Sequence, residues 1–486
     1  MKKQSIKLNF IMNIILTVSQ VIFPLITFRY VAEILHPAGT GIVGFASSVV
    51  AYFALFAQLG IPTYGVRATA QVRDNKEELS RVVQELVIIN LLMSALVYVV
   101  FAISLVVVPK FAENKALLIV TSTTIIFNAI GMEWLYKGLE QYSYITMRSI
   151  AFKFIAVILM FLMIKTEKDT VMYAAITIFA GSASSVLNLL HARKYITMQP
   201  VGKYKFGRHM KPIIIFFAMS CATTIYTNLD TVMLGFMKTD TDVGYYNAAV
   251  KIKTVLLGVV TALGTVLLPR ASYYVEQKLM DEFYRVARKA IHFVFLISLP
   301  MAVYFMFFAK EGIFFLSGDA YGGSIIPMQI IMPTLVLIGL TNIMGIQMLV
   351  PLGGEKVVLY SEIVGAFVDL ILNAILIPQM ASAGAAIGTL VAEVAVFLVQ
   401  YVALRSSVRD MFLDMRYGAL ILATALGSVC AVPVKMLHLG SFFTLCVSAI
   451  LFFGVYGLVM ILMKEELVLE VLNQVLAMVK GKLNRN

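Results

Sequence analysis

Apolar runs of roughly 20 residues recur along almost the whole chain, parted only by short polar connections. A helix of that length crosses the hydrocarbon of a bilayer, because it rises about 1.5 Å per residue against a core of about 30 Å. Lipid offers backbone amides no partner, so a chain crossing it repeatedly must satisfy them internally, as helices do. Spans are expected over residues 10–35, 41–64, 82–108, 116–136, 150–164 (starting nearer 144), 170–190, 212–236, 244–268, 290–309, 324–350, 357–377, 381–404, 417–434 and 439–463. The expected fold class is therefore all-α: a polytopic membrane bundle of about fourteen transmembrane helices.

Composition agrees. Of 486 residues, 60% are hydrophobic and 14% charged, whereas soluble domains are about half apolar and a quarter charged. The net charge of +12 could suggest nucleic acid, yet no Lys/Arg run alternates with aromatics in a polar segment. The cations instead gather in alternate loops, such as Arg67, Arg73, Lys76 and Arg81, and Arg193 to Lys211. About 28 of the 39 Lys/Arg fall on that side, about 7 on the other and about 4 within spans, which places both termini in the cytoplasm. The first apolar run is too long for a cleaved signal and reads as the first span. Cys221, Cys430 and Cys446 lie far apart in apolar stretches and suit neither disulfides nor zinc.

A weak internal repeat divides the chain. Gly41 opens the second span and Arg67-Ala68 closes it; Gly244 and Arg270-Ala271 do the same for the eighth, at an identical separation. Two pseudo-repeated six-helix lobes around a central cavity follow, residues 1–211 and 212–404, with two extra helices over 405–463 and a cytoplasmic amphipathic tail over 464–486. Such paired bundles are a transporter architecture. In the tail, Val468, Val471, Leu472, Val475, Leu476 and Val479 recur at helical spacing, as for a helix lying on the inner leaflet.

Enzymatic motifs fail on context. Gly39 to Gly44 matches GxGxxG but lies between two membrane helices, not in a βαβ unit. No GxxxxGK[ST], GxSxG, HExxH or CxxC occurs, and the longest loop is about twenty residues. The expectation is a non-enzyme with no cofactor beyond a coupling Na⁺ or H⁺.

Ionisable residues at membrane depth are the site candidates, because lipid makes them costly. Lys251 lies about 10 Å below the outer end of the eighth span, and Asp230 lies at similar depth in the seventh. They either pair or line a charged cavity, and Lys253 stands beside them. Asp369 and Asn373 share a face at i,i+4, with Glu393 at mid-depth of the next span; these could bind Na⁺, carry a proton or bond a neighbouring helix. Arg29 and Glu33, also i,i+4, either pair or leave Arg29 to meet an anion. Lys153 and Glu362 sit near span ends, where snorkelling accounts for them.

Several segments in order resemble the Wzx-type polysaccharide repeat-unit flippases, in the superfamily that also holds multidrug exporters and peptidoglycan-precursor flippases. They are LGIPTYGVRATAQVRD (59–74), GMEWLYKGLEQYSYITMRS (131–149), NLDTVMLGFMKTDTDVGYYNAAVKIK (228–253), GIQMLVPLGGEK (345–356) and GAAIGTLVAE (384–393). The resemblance covers nearly the whole chain. One departure is the exit of the first span, where relatives carry an Arg and this chain has Glu33-Ile34-Leu35-His36, with Arg29 one turn earlier. The resemblance implies a multi-pass protein of the bacterial cytoplasmic membrane. Its cargo would be an oligosaccharide linked through pyrophosphate to a polyprenol, with Arg29, Lys251, Lys253 and Asp230 around the cavity and pyrophosphate. Asp369, Asn373 and Glu393 would serve ion coupling. Its partners would be membrane lipids and the polysaccharide polymerase and assembly machinery, with no nucleic acid. A multidrug or cation antiporter of the same superfamily is the alternative, and a membrane glycan polymerase the next.

Overall fold

The computed structural model describes residues 6–470, and among them every regular element is helical. The principal helices are α1 (Ile6–Gln58), α2 (Ile61–Val72), α3 (Lys76–Val107), α4 (Lys115–Gly131), α5 (Tyr142–Met163), α6 (Thr170–Ser182), α7 (Gly207–Met237), α8 (Asp240–Glu276), α9 (Met280–Phe307), α10 (Glu355–Leu413), α11 (Tyr417–Ala431) and α12 (Ser441–Leu462). Among the described residues, ten helical stretches are long and apolar enough to cross a membrane. Two of these, of 58 and 59 residues, would measure nearly 90 Å if straight, about three times the hydrocarbon core. Each is broken near its middle at a residue with positive φ: His36 (φ 54°) in α1 and Ala381 (φ 48°) in α10. Dividing both, counting the broken pair Asp319–Ile331 and Thr334–Leu349 as one span, and adding α8 brings the crossings to about fourteen.

The breaks differ in detail from the expected loops. Residues 36–40 and 378–380 were expected to be connections; helix instead continues through them around one residue. His36 precedes Pro37, whose ring disfavours the α region for its neighbour. In α10 the break folds the chain back: a Cβ on Gly388 would lie 3.0 Å from the Asp369 carboxylate and against the Asn373 amide. The second span also ends early, at Leu59 and Gly60 (φ 46° and 72°), and the rest of that motif forms α2. Its buried face is Ile61, Tyr64, Gly65, Ala68 and Thr69. Helix α3 begins at Lys76, six residues before the expected span. The Asn75 side chain accepts from the amides of Glu77 and Glu78, both at 3.1 Å, and those acids favour the positive helix start. The tenth span is bent by 47° about Pro333, which has no N–H for the ladder.

Many large apolar side chains face outward: Ile450 is 74% exposed, Val106 73% and Leu462 70%. Helix after helix shows such a face, so lipid rather than water is the surrounding solvent. The chain forms two compact units, one up to Gly244 and one from Tyr245. The core of the first gathers Ile61, Leu79, Leu86, Trp134, Tyr136 and Ile213. The second has its core at Phe283, Ile291, Val294, Met344, Met348 and Leu404. A smaller cluster joins α11 and α12 through Ala423, Tyr456 and Met460. The Tyr456 hydroxyl donates to the Leu296 carbonyl in α9 at 2.8 Å.

The two glycines of the sequence repeat meet at one crossing. A Cβ on Gly41 would collide with the Asp240 carbonyl and come within 2.7 Å of the Gly244 amide; one on Gly244 would collide with the Pro37 backbone. Only glycine permits helix backbones to approach this closely. Nearby, Lys110 pairs with Asp240 at 2.8 Å and lies over the Phe45 ring.

The tail is described as far as Glu470. Residues 466–470 are helical, the Glu465 carboxylate accepts from the Val468 amide at 2.8 Å, and Glu470 pairs with Lys289 at 2.7 Å. The amphipathic stretch expected beyond, 471–486, lies outside the described residues.

Candidate functional site: a neutral polar cavity in the first unit

Helices α1, α2, α4, α6 and α7 of the first unit line an open cavity of about 620 Å³. Helix α1 contributes Ser47 and Gln58, α4 contributes Thr121, Thr124 and Asn128, α6 contributes Thr177 and Ser182, and α7 contributes Ser220, Thr224 and Asn228. The spacings are helical: i, i+3, i+7 in α4 and i, i+4, i+8 in α7, so each set lies on one face. Ala51, Ala54, Gly60 and Gly181 keep the walls thin. Ten of the eighteen lining residues carry a hydroxyl or amide, and none is ionisable or aromatic.

The hydroxyls are partly committed. Ser47 donates to the Val43 carbonyl at 2.8 Å, Thr121 to Leu117 at 2.7 Å and Thr177 to Tyr173 at 2.8 Å. The Asn228 amide donates to the Thr224 carbonyl at 3.0 Å and the Thr227 hydroxyl at 3.1 Å. Bonding within the helix hides a hydroxyl's polarity from lipid while leaving its lone pairs as acceptors. Tyr52 ties α1 to α7 through the Ile225 carbonyl at 3.3 Å. The arrangement can bind a ligand dense in hydroxyl groups.

A second polar network pins the connection ahead of α7. Glu85, fully buried in α3, accepts from the Lys205 amide at 2.5 Å, from Arg208 Nε at 3.0 Å and Nη2 at 2.6 Å, and from His209 Nε2 at 2.7 Å. The other His209 nitrogen accepts from the Tyr64 hydroxyl at 2.8 Å, and Arg208 also pairs with Glu78. Beside it, Gln84 donates to the carbonyls of Thr197 and Gln199 and accepts from the Val201 amide and the Tyr204 hydroxyl. The cationic connection that ends the first expected lobe is thereby fastened to α3.

The charged candidates take these places. Arg29 and Glu33 form an ion pair, both about half exposed. Asp230, on α7 two residues beyond Asn228, is buried. Lys251 and Lys253 are half-buried on α8 in the second unit, while Asp230 belongs to the first. Asp369 and Asn373 are buried together on the first half of α10 against Gly388 of its second half, which also carries buried Glu393. Lys153 donates to the Ser19 hydroxyl at 2.9 Å. None of these residues lines the neutral cavity. Sequence reasoning missed the cavity because it followed charge; the signal that could have found it is the repeated Ser/Thr/Asn spacing in residues 121–128 and 220–228.

Comparison with known proteins places this geometry. The family described as Polysaccharide biosynthesis protein matches residues 6–275, more than half the chain, and the MatE family matches 215–375. Two proteins each named "Putative O-antigen transporter" are similar in sequence. That of Escherichia coli (strain K12) is 23% identical over 394 residues, covering 80% of this chain and 94% of the relative. That of Shigella dysenteriae is 24% identical over 399 residues, covering 81% and 98%. Among solved structures, the lipid II flippase MurJ in an inward closed conformation aligns with a TM-score of 0.72 at 16% identity, covering 94% of this chain and all of that one. An inward-facing multidrug resistance MATE family transporter of the MOP superfamily aligns with a TM-score of 0.62 at 16% identity, covering 80% and 96%. At these identities the two structures share the fold.

Proposed function

The chain belongs to the polysaccharide biosynthesis protein family, and from that premise we propose that it flips polyprenyl-pyrophosphate-linked oligosaccharide repeat units across the bacterial cytoplasmic membrane. The product would feed a surface polysaccharide of capsule, exopolysaccharide or teichoic type, and both termini would be cytoplasmic. The observation that carries the reading is the neutral cavity, about 620 Å³ and lined by ten hydroxyl and amide side chains, in a membrane-embedded unit of this family.

The physical problem such a protein solves is the sugar. Each hydroxyl moved from water into hydrocarbon without a partner costs several kcal/mol. The glycan of one repeat unit carries many hydroxyls, while its polyprenyl tail is already at home in lipid. A polar cavity within the bundle replaces water as the hydroxyls' partner and leaves the tail outside. Arg29, Lys251 and Lys253 are the cations proposed to meet the pyrophosphate, with Asp230 setting the charge beside the cavity. Guanidinium and ammonium groups suit phosphate oxygens. Alternating access would expose the cavity to each side in turn, with Na⁺ or H⁺ at Asp369, Asn373 and Glu393 supplying direction.

The test is deletion of the gene, with surface polysaccharide and lipid-linked repeat units on the inner leaflet assayed together. Lost polymer with accumulated inner-leaflet intermediate is expected. Intact polymer with new sensitivity to cationic drugs would replace this reading with cation export.

A further inference from the structure

We propose that the part of the glycan seated in the cavity of the first unit is uncharged: the site takes neutral, hydroxyl-rich sugars and discriminates against uronic acids and other anionic sugars. The inference rests on the flipping reading and names the substrate class of its site.

None of the eighteen lining residues is ionisable, so an anionic sugar would find no counter-charge there. An ionised carboxylate taken out of water without one is far costlier than a hydroxyl. Four of the ten polar residues also have their donor protons committed. The hydroxyl protons of Ser47, Thr121 and Thr177 are held by carbonyls of their own helices. The Asn228 amide protons are held by Thr224 and Thr227. These four residues therefore turn acceptor lone pairs to the cavity. A sugar hydroxyl can donate to such acceptors and still accept from the amides of Gln58 and Asn128. A carboxylate can only accept, so at these four positions it meets lone pair against lone pair. The bias follows from lodging Ser and Thr on membrane helices, where the hydroxyl proton goes first to the preceding turn.

The experiment uses the full-length protein in lipid nanodiscs and two synthetic probes. One is a short polyprenyl pyrophosphate bearing a neutral tetrasaccharide. The other is the same molecule with each primary C6 alcohol oxidised to carboxylate. The pyrophosphate and lipid are common to both, so any difference comes from the sugar. The neutral probe is expected to bind at least about tenfold more tightly. The variants Asn128→Lys and Thr124→Lys, which each place a cation in the wall, are expected to shrink or reverse that ratio. Equal binding of the two probes to the native protein, or tighter binding of the oxidised one, overturns this inference and leaves flipping intact. A ratio unchanged in both folded lysine variants removes the cavity as the origin of the preference and overturns it as well. Binding of neither probe overturns the flipping reading itself.

Discussion

Replacing Glu85 with alanine removes the acceptor on which the segment ahead of α7 converges. The carboxylate is fully buried and takes four hydrogen bonds, from the Lys205 amide, two guanidinium nitrogens of Arg208, and His209. Arg208 is one-third exposed and keeps Glu78, so water can satisfy part of its loss. His209 is 2% exposed and keeps only Tyr64. Breaking a buried pair by removing one partner costs roughly 3–5 kcal/mol, most of it from donors left unsatisfied. The cost falls on local opening of residues 205–209, which supply all four donors, rather than on the rest of the bundle. At about 1.4 kcal/mol per tenfold, backbone amides there should exchange with solvent on the order of 10²- to 10³-fold faster. Hydrogen-exchange mass spectrometry of the purified protein reads this directly. Gln84→Ala, whose neutral and partly exposed bonds hold residues 197–204 instead, should raise the rates at 205–209 by no more than about tenfold. Glu282→Ala, which removes an exposed surface pair with Arg285, should leave them alone. Exchange within threefold of native in Glu85→Ala would refute the idea that this carboxylate fastens the segment.

Three further outcomes are expected. Gly41→Ala and Gly244→Ala each push a methyl into backbone at the crossing and should strongly reduce folded protein in the membrane, whereas Gly454→Ala, in open space, should not; detergent gel filtration of the three distinguishes them. Lys251→Ala should abolish surface glycan while the protein stays in the membrane, and Lys253→Glu should lower it more than Lys253→Ala; wild-type glycan in all three would remove both lysines from cargo handling. Asp369→Asn should change how transport depends on Na⁺ or pH, and transport indifferent to both before and after the change would make the buried Asp369–Asn373 pair structural.

The membrane-bundle class was legible from the chain alone, since the 20-residue apolar runs have one stable form in lipid. The charged residues at depth were legible too, because each stands out against apolar neighbours. Their surroundings were not. Asp369 and Asn373 share a face by spacing, but their packing against Gly388 depends on α10 folding back at Ala381. Nothing about an alanine announces a positive φ. Glu85 lies in QELV, which reads as the polar margin of a span. Its burial appears only when residues 205–209 close over it.

The sequence by itself thus determined how many times the chain meets lipid and where its cations gather, because those depend on local hydropathy and loop charge. Only the tertiary structure decided which face of each helix turns inward. When every face is apolar, periodicity carries almost no information about direction. Serine and threonine blend in, because their hydroxyls bond back to their own helix. The neutral cavity exists only where four such faces converge.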